Sequence, residues 1–477
     1  MSLRSKVILA LRWSAGLRLL SQLIAWAMTL VVVRLLSPSD YGLMSMATVV
    51  IAFLMMFNEL GIGPALVQRE SLNNLVLRQA FGIALASNAL VFAVVWILTP
   101  SVAQFFGEAE LVPIIRTLSI QFMFIPFSTI PEAFLLRNLD FRRKSIIDLV
   151  SNVLGGVTSL ALALSGFGVW SLVFGSLTLM STRSIGSIVA APHFVLPRFS
   201  LTGTKQLLSF GSLITADRFL WFFYSRADVV VVGRILGTEA LGIYSVAMQI
   251  ASLPLHKVNG ILNEIAFPAF SRIQGDMALV RSYLGKAARV ISFVAFPVFL
   301  GISSISPVFV EVVLGEQWKS TALPLATLAC IMPLRMISSV IASTLQGVGR
   351  VGVSVGNLVY AAVIIPIALL IGTNWGITGV CVAWLVGFPA VTTIEMLRSR
   401  RFVALSILDF TRIFWRPLLG SLIMWGGVYM ITAIDTTFSY SVPGLTFIIF
   451  AGAATYLIFT LLFNRDNFRE TMALTRI

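Results

Sequence analysis

The sequence predicts an all-α integral membrane protein of about 14 transmembrane helices, built as two pseudo-symmetric six-helix lobes plus two C-terminal helices. Three observations predict it. Apolar stretches of about 20 residues, enough to cross a hydrocarbon core of about 30 Å, follow one another from near Gly16 to Phe463. Only 11% of the residues are charged, against 58% hydrophobic. A segment beginning at Val31 returns without gaps at Val231. Fourteen spans use roughly 290 residues, so the 477-residue chain keeps only short connections and no sizeable soluble domain.

In chain order, the first span, 14–36, follows Arg4, Lys6 and Arg12. A signal peptide has a similar beginning, with Ala25-Trp26-Ala27 near a cleavage position, but this apolar run continues to Leu36 and reads as a retained helix. The second span, 41–64, ends in Gly61, Gly63 and Pro64, which allow a bend. Spans at 80–100 and 112–135 follow. Spans 146–165 and 168–190 are joined by the tight turn Gly166-Phe167-Gly168. Spans 208–235 and 241–267 flank the repeated segment, and 286–307 and 322–345 come next. Asn374-Trp375-Gly376 turns the chain between 352–372 and 376–396, and spans 413–434 and 443–463 complete the count. Pro254, Pro297, Pro333 and Pro366 supply further bends.

Charge fixes the orientation. Of the 34 Lys and Arg residues, 24 fall at the N-terminus, in alternate loops and at the C-terminus, whereas the opposite loops hold only Arg34, Arg116, Arg234 and Lys319. Both termini are therefore expected in the cytoplasm. The net charge of +14 is a consequence of retained cytoplasmic loops and does not point to nucleic acid. Trp96, Trp170, Trp318 and Trp375 fall near outer span ends and Trp13 and Trp415 near inner ends, where interfacial anchoring is expected. Cys330 and Cys381 lie inside apolar runs and read as structural thiols. His193 and His256 lack any metal-ligand spacing, and no cofactor is expected.

Residues 31–47 and 231–247 share Val31, Val32, Arg34, Leu36, Gly42, Ser45 and Ala47, where a chance pairing of apolar segments matches about two. Six spans separate the copies, so both halves have the same orientation. The organisation expected is an N-terminal lobe at 1–200, a C-terminal lobe at 201–405, and the last two helices with a cytoplasmic tail at 406–477. Such a duplication is the architecture of alternating-access transporters, with the substrate between the lobes.

Several segments also resemble one family. LLSPSDYGLMSMATVVIAF, NELGIGPALVQRE, GFGVWSLVFGSL, RADVVVVGRILGTEALGIYSVA, FPAFSRIQGD and VLGEQWKSTALPLATLACIMPLR are similar, in order and spacing, to Wzx-type lipid-linked oligosaccharide flippases. These form the polysaccharide transporter branch of the multidrug/oligosaccharidyl-lipid/polysaccharide exporter superfamily. The resemblance covers residues 1 to about 400 and is less distinctive over the last two spans. It implies a flippase, not an enzyme, that moves undecaprenyl-pyrophosphate-linked oligosaccharides to the outer leaflet of the bacterial inner membrane for O-antigen, capsule or exopolysaccharide assembly. The implied partners are that lipid-linked substrate, membrane lipids and the polysaccharide polymerase machinery.

A diphosphate needs fixed cations, and six basic residues lie within the spans: Arg18, Arg183, Arg218, Arg226, Lys257 and Arg335. Each costs about 2.5–3.5 kcal/mol at the bilayer centre, so each is expected to face protein or water. Arg218, Lys257 and Arg335 are deepest, and Arg218 is the repeat mate of Arg18. The resemblance implies pyrophosphate-binding cations on the first and eighth helices, where Arg18 and Lys257 stand. The pyrophosphate set expected is therefore Arg18, Arg218, Lys257 and Arg335. The alternative is simple pairing with the acids Asp217, Asp228, Glu264, Glu59, Glu132 and Asp148. Asp217 and Asp228, eleven residues apart, share a helix face, as do Lys257 and Glu264. Asp217, Asp228 and Glu264 read either as counter-charges or as a site coupling transport to Na⁺, H⁺ or membrane potential.

Two rival functions stand beside this one. A membrane glycan polymerase or glycosyltransferase needs acids or a metal displayed at one face, on a long outer loop; the longest outer loop expected here is 307–321. A cation-coupled multidrug exporter of the same superfamily predicts a site dominated by carboxylates.

Overall fold

The computed structural model describes residues 16, 21–22, 24–58, 62–68, 72–192, 195–200, 205–403, 407–465 and 468, with the side chains of 57–58, 64–65, 68, 205–221, 257–265, 407 and 436 outside the description. Every regular element among the described residues is helical. The first is α1 (Ile24–Leu35). It is followed by α2 (Pro38–Asn58), α3 (Ile62–Gln68), α4 (Asn74–Phe106), α5 (Leu111–Ser119), α6 (Gln121–Arg137), α7 (Phe141–Leu164) and α8 (Val169–Ala190). Next come α9 (Lys205–Arg272), α10 (Met277–Phe309), α11 (Ala322–Gly347), α12 (Val351–Gly372), α13 (Gly376–Val403), α14 (Ile407–Ile434), α15 (Thr436–Ser439) and α16 (Val442–Phe463).

These helices account for the fourteen spans. Eleven apolar segments are long enough to cross a bilayer, and two of them, 222–256 and 351–403, each contain a break; α1 is the shorter fourteenth. Short polar caps set the boundaries. At α2, Ser37 Oγ accepts from the Asp40 N–H while Asp40 Oδ2 accepts from the Ser37 N–H at 2.9 Å, a capping box with Pro38 in the first helical position. Asn73, Asp140, Asp276 and Ser441 cap α4, α7, α10 and α16 in the same way through side-chain oxygens.

The repeat has a physical expression. Gly237 breaks α9 at φ 83° and ψ −177°, a conformation essentially reserved for glycine, at the position equivalent to Ser37 ahead of α2. Just beyond it the two copies cross. A methyl group on Gly42 would overlap the Thr238 backbone, and one on Gly242 would overlap the Pro38 carbonyl. Gly42 and Gly242 are 200-residue mates of each other, as are their partners Pro38 and Thr238, so the crossing is two-fold in miniature. Glycine is what permits backbone to meet backbone there.

The chain divides into two compact units, one of residues 1–222 with 237–242 and the other of 223–236 with 243–477. In the first, Ile62, Leu66, Leu77, Ala80, Ala84 and Ile130 form a buried cluster that ties α3 and α4 to α6. In the second, Leu284, Ile337, Ile341, Met396 and Phe410 bring α10, α11, α13 and α14 together. The final two long helices dock on α10. Phe296, Leu300, Met424 and Tyr456 share one cluster, and the Tyr456 hydroxyl donates to the Phe293 carbonyl at 2.8 Å. Close packing and polar contacts of this kind, more than transfer from water, hold helices together in lipid.

Two expectations are corrected. The stretch 307–321 is not an open loop: a π-turn (Val310–Leu314) and a 3₁₀ turn (Glu316–Thr321) carry the chain from α10 to α11. Trp318 sits in that tight connection fully buried, so it is a packing residue and not an interfacial anchor. Trp96, Trp375 and Trp415 are exposed, as anchoring requires. Cys330 and Cys381 are free thiols.

Candidate substrate-binding site

Of the six intramembrane basic residues, three have described side chains: Arg183, Arg226 and Arg335. Arg18 lies outside the described residues, and the side chains of Arg218, Lys257, Asp217 and Glu264 are also outside the description. Arg183 and Arg335 are fully described, and their surroundings differ sharply.

In the first unit, Arg183 on α8 is neutralised by protein. Its Nε lies 3.4 Å from Glu132 Oε1 and 3.4 Å from Asp148 Oδ1, and Lys144 Nζ lies 3.6 Å from Asp148 Oδ2. Glu132 and Asp148 are thus counter-charges, as the pairing alternative expects. A cation held this way has little left for a ligand.

In the second unit, Arg335 on α11 makes no ion pair among the described residues. Its guanidinium stands 5.2 Å from the ring centre of Trp384 and 5.8 Å from that of Phe388, two α13 side chains one helical turn apart. One of its N–H groups points to Met248 Sδ at 3.8 Å, and the Tyr224 hydroxyl lies beside it. Aromatic faces offset part of the cost of a desolvated cation without using up its hydrogen-bond donors. Those donors remain suited to a planar, bidentate anion such as phosphate. His256 is close enough to Arg335 and Arg226 to feel both charges, and Arg226 is exposed. The arrangement gathers positive charge from α9 and α11.

Asp228, predicted either to pair or to bind a coupling ion, is buried beneath this cluster. Tyr244 Oη donates to its Oδ2 at 2.7 Å, and the Val229 N–H donates to Oδ1 at 2.8 Å. Trp384 Nε1 in turn donates to Tyr244 Oη at 2.8 Å. The carboxylate is therefore held by neutral donors, with Arg335 and Arg226 at longer electrostatic range. The same indole that hydrogen-bonds Tyr244 presents its face to Arg335. Asp228 thereby fixes the floor of the cation site through a chain of two aromatic side chains.

This chain predicts a measurable coupling. Tyr244→Phe removes a donor from a buried carboxylate, which costs about 1.5–3 kcal/mol for a charged hydrogen bond. The apparent Tm of the purified protein should fall. Adding Asp228→Asn should cost less in the Tyr244→Phe background than in the wild type, since the two changes remove one shared interaction. Strict additivity in that double-mutant cycle would contradict the chain.

Sequence reasoning missed three members of the site. Tyr244 and Trp384 are 140 positions apart and carry no motif, so nothing short of the fold joins them. Glu395 on α13 is buried with the Ser338 hydroxyl beside it, yet it falls at the very end of its predicted span and next to a basic run, where it reads as a surface residue. Arg398, part of that run, instead turns to Asn357 Oδ1 at 2.9 Å and to the Tyr360 ring at 4.7 Å.

A bundle of fourteen membrane helices has the architecture of a multi-pass transporter, and solved structures share it. The chain is similar in fold to the lipid II flippase MurJ in an inward closed conformation, with a TM-score of 0.73 at 16% identity over 95% of this chain and 99% of that one. The sequence is more specific. The chain belongs to the polysaccharide biosynthesis protein family, whose model matches residues 31–323. It is 28% identical to the lipopolysaccharide biosynthesis protein WzxC of Escherichia coli K12, over 81% of this chain and 79% of that protein. It is 30% identical to the teichuronic acid biosynthesis protein TuaB of Bacillus subtilis 168, over 61% of each.

Proposed function

We propose that this protein is a flippase that carries undecaprenyl-pyrophosphate-linked oligosaccharides from the inner to the outer leaflet of the bacterial inner membrane by alternating access. Its products feed O-antigen, capsule or exopolysaccharide assembly. The observation that carries the reading is the polysaccharide biosynthesis family match across most of a polytopic helical bundle. A membrane-embedded protein in such a pathway, with no sizeable soluble domain in its sequence, is suited to moving a lipid-linked intermediate.

Arg335 gives the reading its chemistry. Two phosphates carrying negative charge need fixed cations that protein acids have not already neutralised, and Arg335 meets that requirement where Arg183 does not. Arg18, Arg218 and Lys257 complete the proposed set. Asp228 orders the floor of the site, while Asp217 and Glu264 serve as counter-charges or couple the cycle to Na⁺, H⁺ or membrane potential. The multidrug-exporter alternative is less well supported, because Asp228 is occupied by Tyr244 and Val229 while Arg335 makes no ion pair among the described residues. The polymerase alternative needs a long outer loop, and the longest one expected, 307–321, is short and taken up by helical turns. A polysaccharide polymerase is a downstream partner in this scheme.

The test is complementation of a flippase-deficient strain, with lipid-linked intermediates quantified. Restored surface polysaccharide and loss of the accumulated intermediate are expected. Orientation is tested in the same cells. Cysteines introduced at Glu108, Glu316 and Asp435 should react with an impermeant thiol reagent, and cysteines at Arg143 and Arg400 should not. Labelling of the second pair would contradict the placement of both termini in the cytoplasm.

A further inference from the structure

At the end of the second unit that carries its basic segments, α10 and α14 leave between them a cavity of about 560 Å³. Arg281, Gly285 and Arg289 line it from α10, at spacings that place them on one stripe of that helix. Arg412 and Arg416 line it from α14, one turn apart, and Asp409 is the acid among the lining residues. Arg281 is paired with Asp409, whereas Arg412 and Arg416 make no ion pair among the described residues. Arg281 donates to Asp409 Oδ2 at 3.1 Å, and the Arg416 guanidinium stands 5.2 Å from the Trp415 ring. Gly285 keeps the wall open: a methyl group there would meet nothing nearer than the Arg289 guanidinium at 3.7 Å.

Such a concentration of like charge is unfavourable unless an anion shares it. Depth and shape restrict which anion. On the faces of α10 and α14 turned to the core, Leu284, Ala288, Phe410 and Ile413 are apolar and packed together. Exposed Trp415, at the cavity's edge, marks the headgroup level of the bilayer. Guanidinium forks suit phosphate oxygens, and basic pockets between membrane helices on the cytoplasmic side take lipid headgroups with more than one phosphate. A single phosphodiester matches one of the two arginines Arg412 and Arg416, and two phosphates match both.

From this geometry we infer that the α10–α14 cavity binds a lipid headgroup bearing two phosphates and thereby pins α14 against α10. The site is built by the second unit alone and shares no residue with the Arg335 cluster, so it stands whether or not the flippase reading does. Two lipids carry this chemistry: a diphosphatidylglycerol-type phospholipid and a polyprenyl diphosphate.

The experiment uses the purified full-length chain in detergent, with lipid binding read by native mass spectrometry and by the shift in apparent Tm. Cardiolipin should bind and raise the Tm, phosphatidylglycerol should do so more weakly, and phosphatidylcholine should not. Arg412→Ala/Arg416→Ala should weaken cardiolipin about tenfold or more, as expected for the loss of charged hydrogen bonds. Asp409→Asn, which removes the cavity's acid, should tighten it, and this gain cannot arise from misfolding. Undecaprenyl diphosphate distinguishes the sources. Displacement of cardiolipin from the wild type assigns the cavity to the polyprenyl headgroup, and undisturbed cardiolipin assigns it to the phospholipid. Equal binding of phosphatidylcholine and cardiolipin, or unchanged affinity in both the arginine and the Asp409 variants, would overturn the inference.

Discussion

Arg335→Ala is expected to cut surface polysaccharide sharply in a complemented flippase-deficient strain while the protein still accumulates in the membrane. Its guanidinium is held over Trp384 and Phe388 and is not neutralised by a described carboxylate. Removing a charged hydrogen-bond donor to phosphate costs about 1.5–3 kcal/mol, or roughly tenfold to a hundredfold in binding. Arg18→Ala, Arg218→Ala and Lys257→Ala should give the same phenotype, and two such changes together should leave no measurable transport. Arg335→Lys should keep the point charge but lose the planar fork and the stacking, so partial activity is expected. Arg183→Ala should behave differently: its loss takes from Glu132 its described cation and leaves Asp148 with Lys144 alone, lowering protein levels more than it lowers transport per molecule. Normal polysaccharide from the four phosphate-site variants would place the headgroup elsewhere.

Gly42→Leu and Gly242→Leu should each remove activity by a different route, through the fold. At both positions a side chain meets the backbone of the opposite copy of the repeat, at Thr238 or Pro38, and a backbone cannot rotate aside as a side chain does. Overpacking of a well-packed interior costs about 1–3 kcal/mol, and a rigid neighbour puts these sites at or above that range. Lower membrane abundance and a depressed apparent Tm are expected for both. Gly426→Leu on α14, where a methyl group meets nothing, is the control and should be neutral. The test compares all three by fluorescence-detected chromatography of detergent extracts. Wild-type profiles for Gly42→Leu and Gly242→Leu would show that the two copies separate at little cost.

The fold was legible in the sequence to the extent that membrane helices are specified by length and apolarity. All fourteen spans correspond to helices because a lipid-embedded backbone has no alternative to internal hydrogen bonding. The internal repeat was legible too, since Gly42 and Gly242 stand in matching contexts, but their reciprocal contact required the fold. Failures occurred where local chemistry was ambiguous. Trp318 sits after a Gly-Glu-Gln turn and looks interfacial, yet the π-turn at 310–314 tucks it inside. Of the residues where a bend was expected, Gly61 falls outside the described residues, and Gly63 and Pro64 lie within α3. Counting charges left six cations against six acids. Only three-dimensional placement separated Arg183, bound to two carboxylates, from Arg335, bound to none among the described residues. The polar support under Arg335 was invisible because Asp228, Tyr244 and Trp384 come from distant parts of α9 and α13 and belong to no motif.

The central claim is that this chain moves a diphosphate-linked glycan across a bilayer, and the most direct test observes the movement itself. Purified protein is reconstituted into vesicles containing a fluorescent undecaprenyl-diphosphate oligosaccharide, and an impermeant glycan-modifying reagent reads how much of it faces outward. Vesicles with the wild-type protein should expose the inner-leaflet pool to the reagent over minutes, whereas Arg335→Ala vesicles should do so roughly tenfold to a hundredfold more slowly. Equal exposure of the pool with wild-type protein, with Arg335→Ala and with empty vesicles would contradict the account.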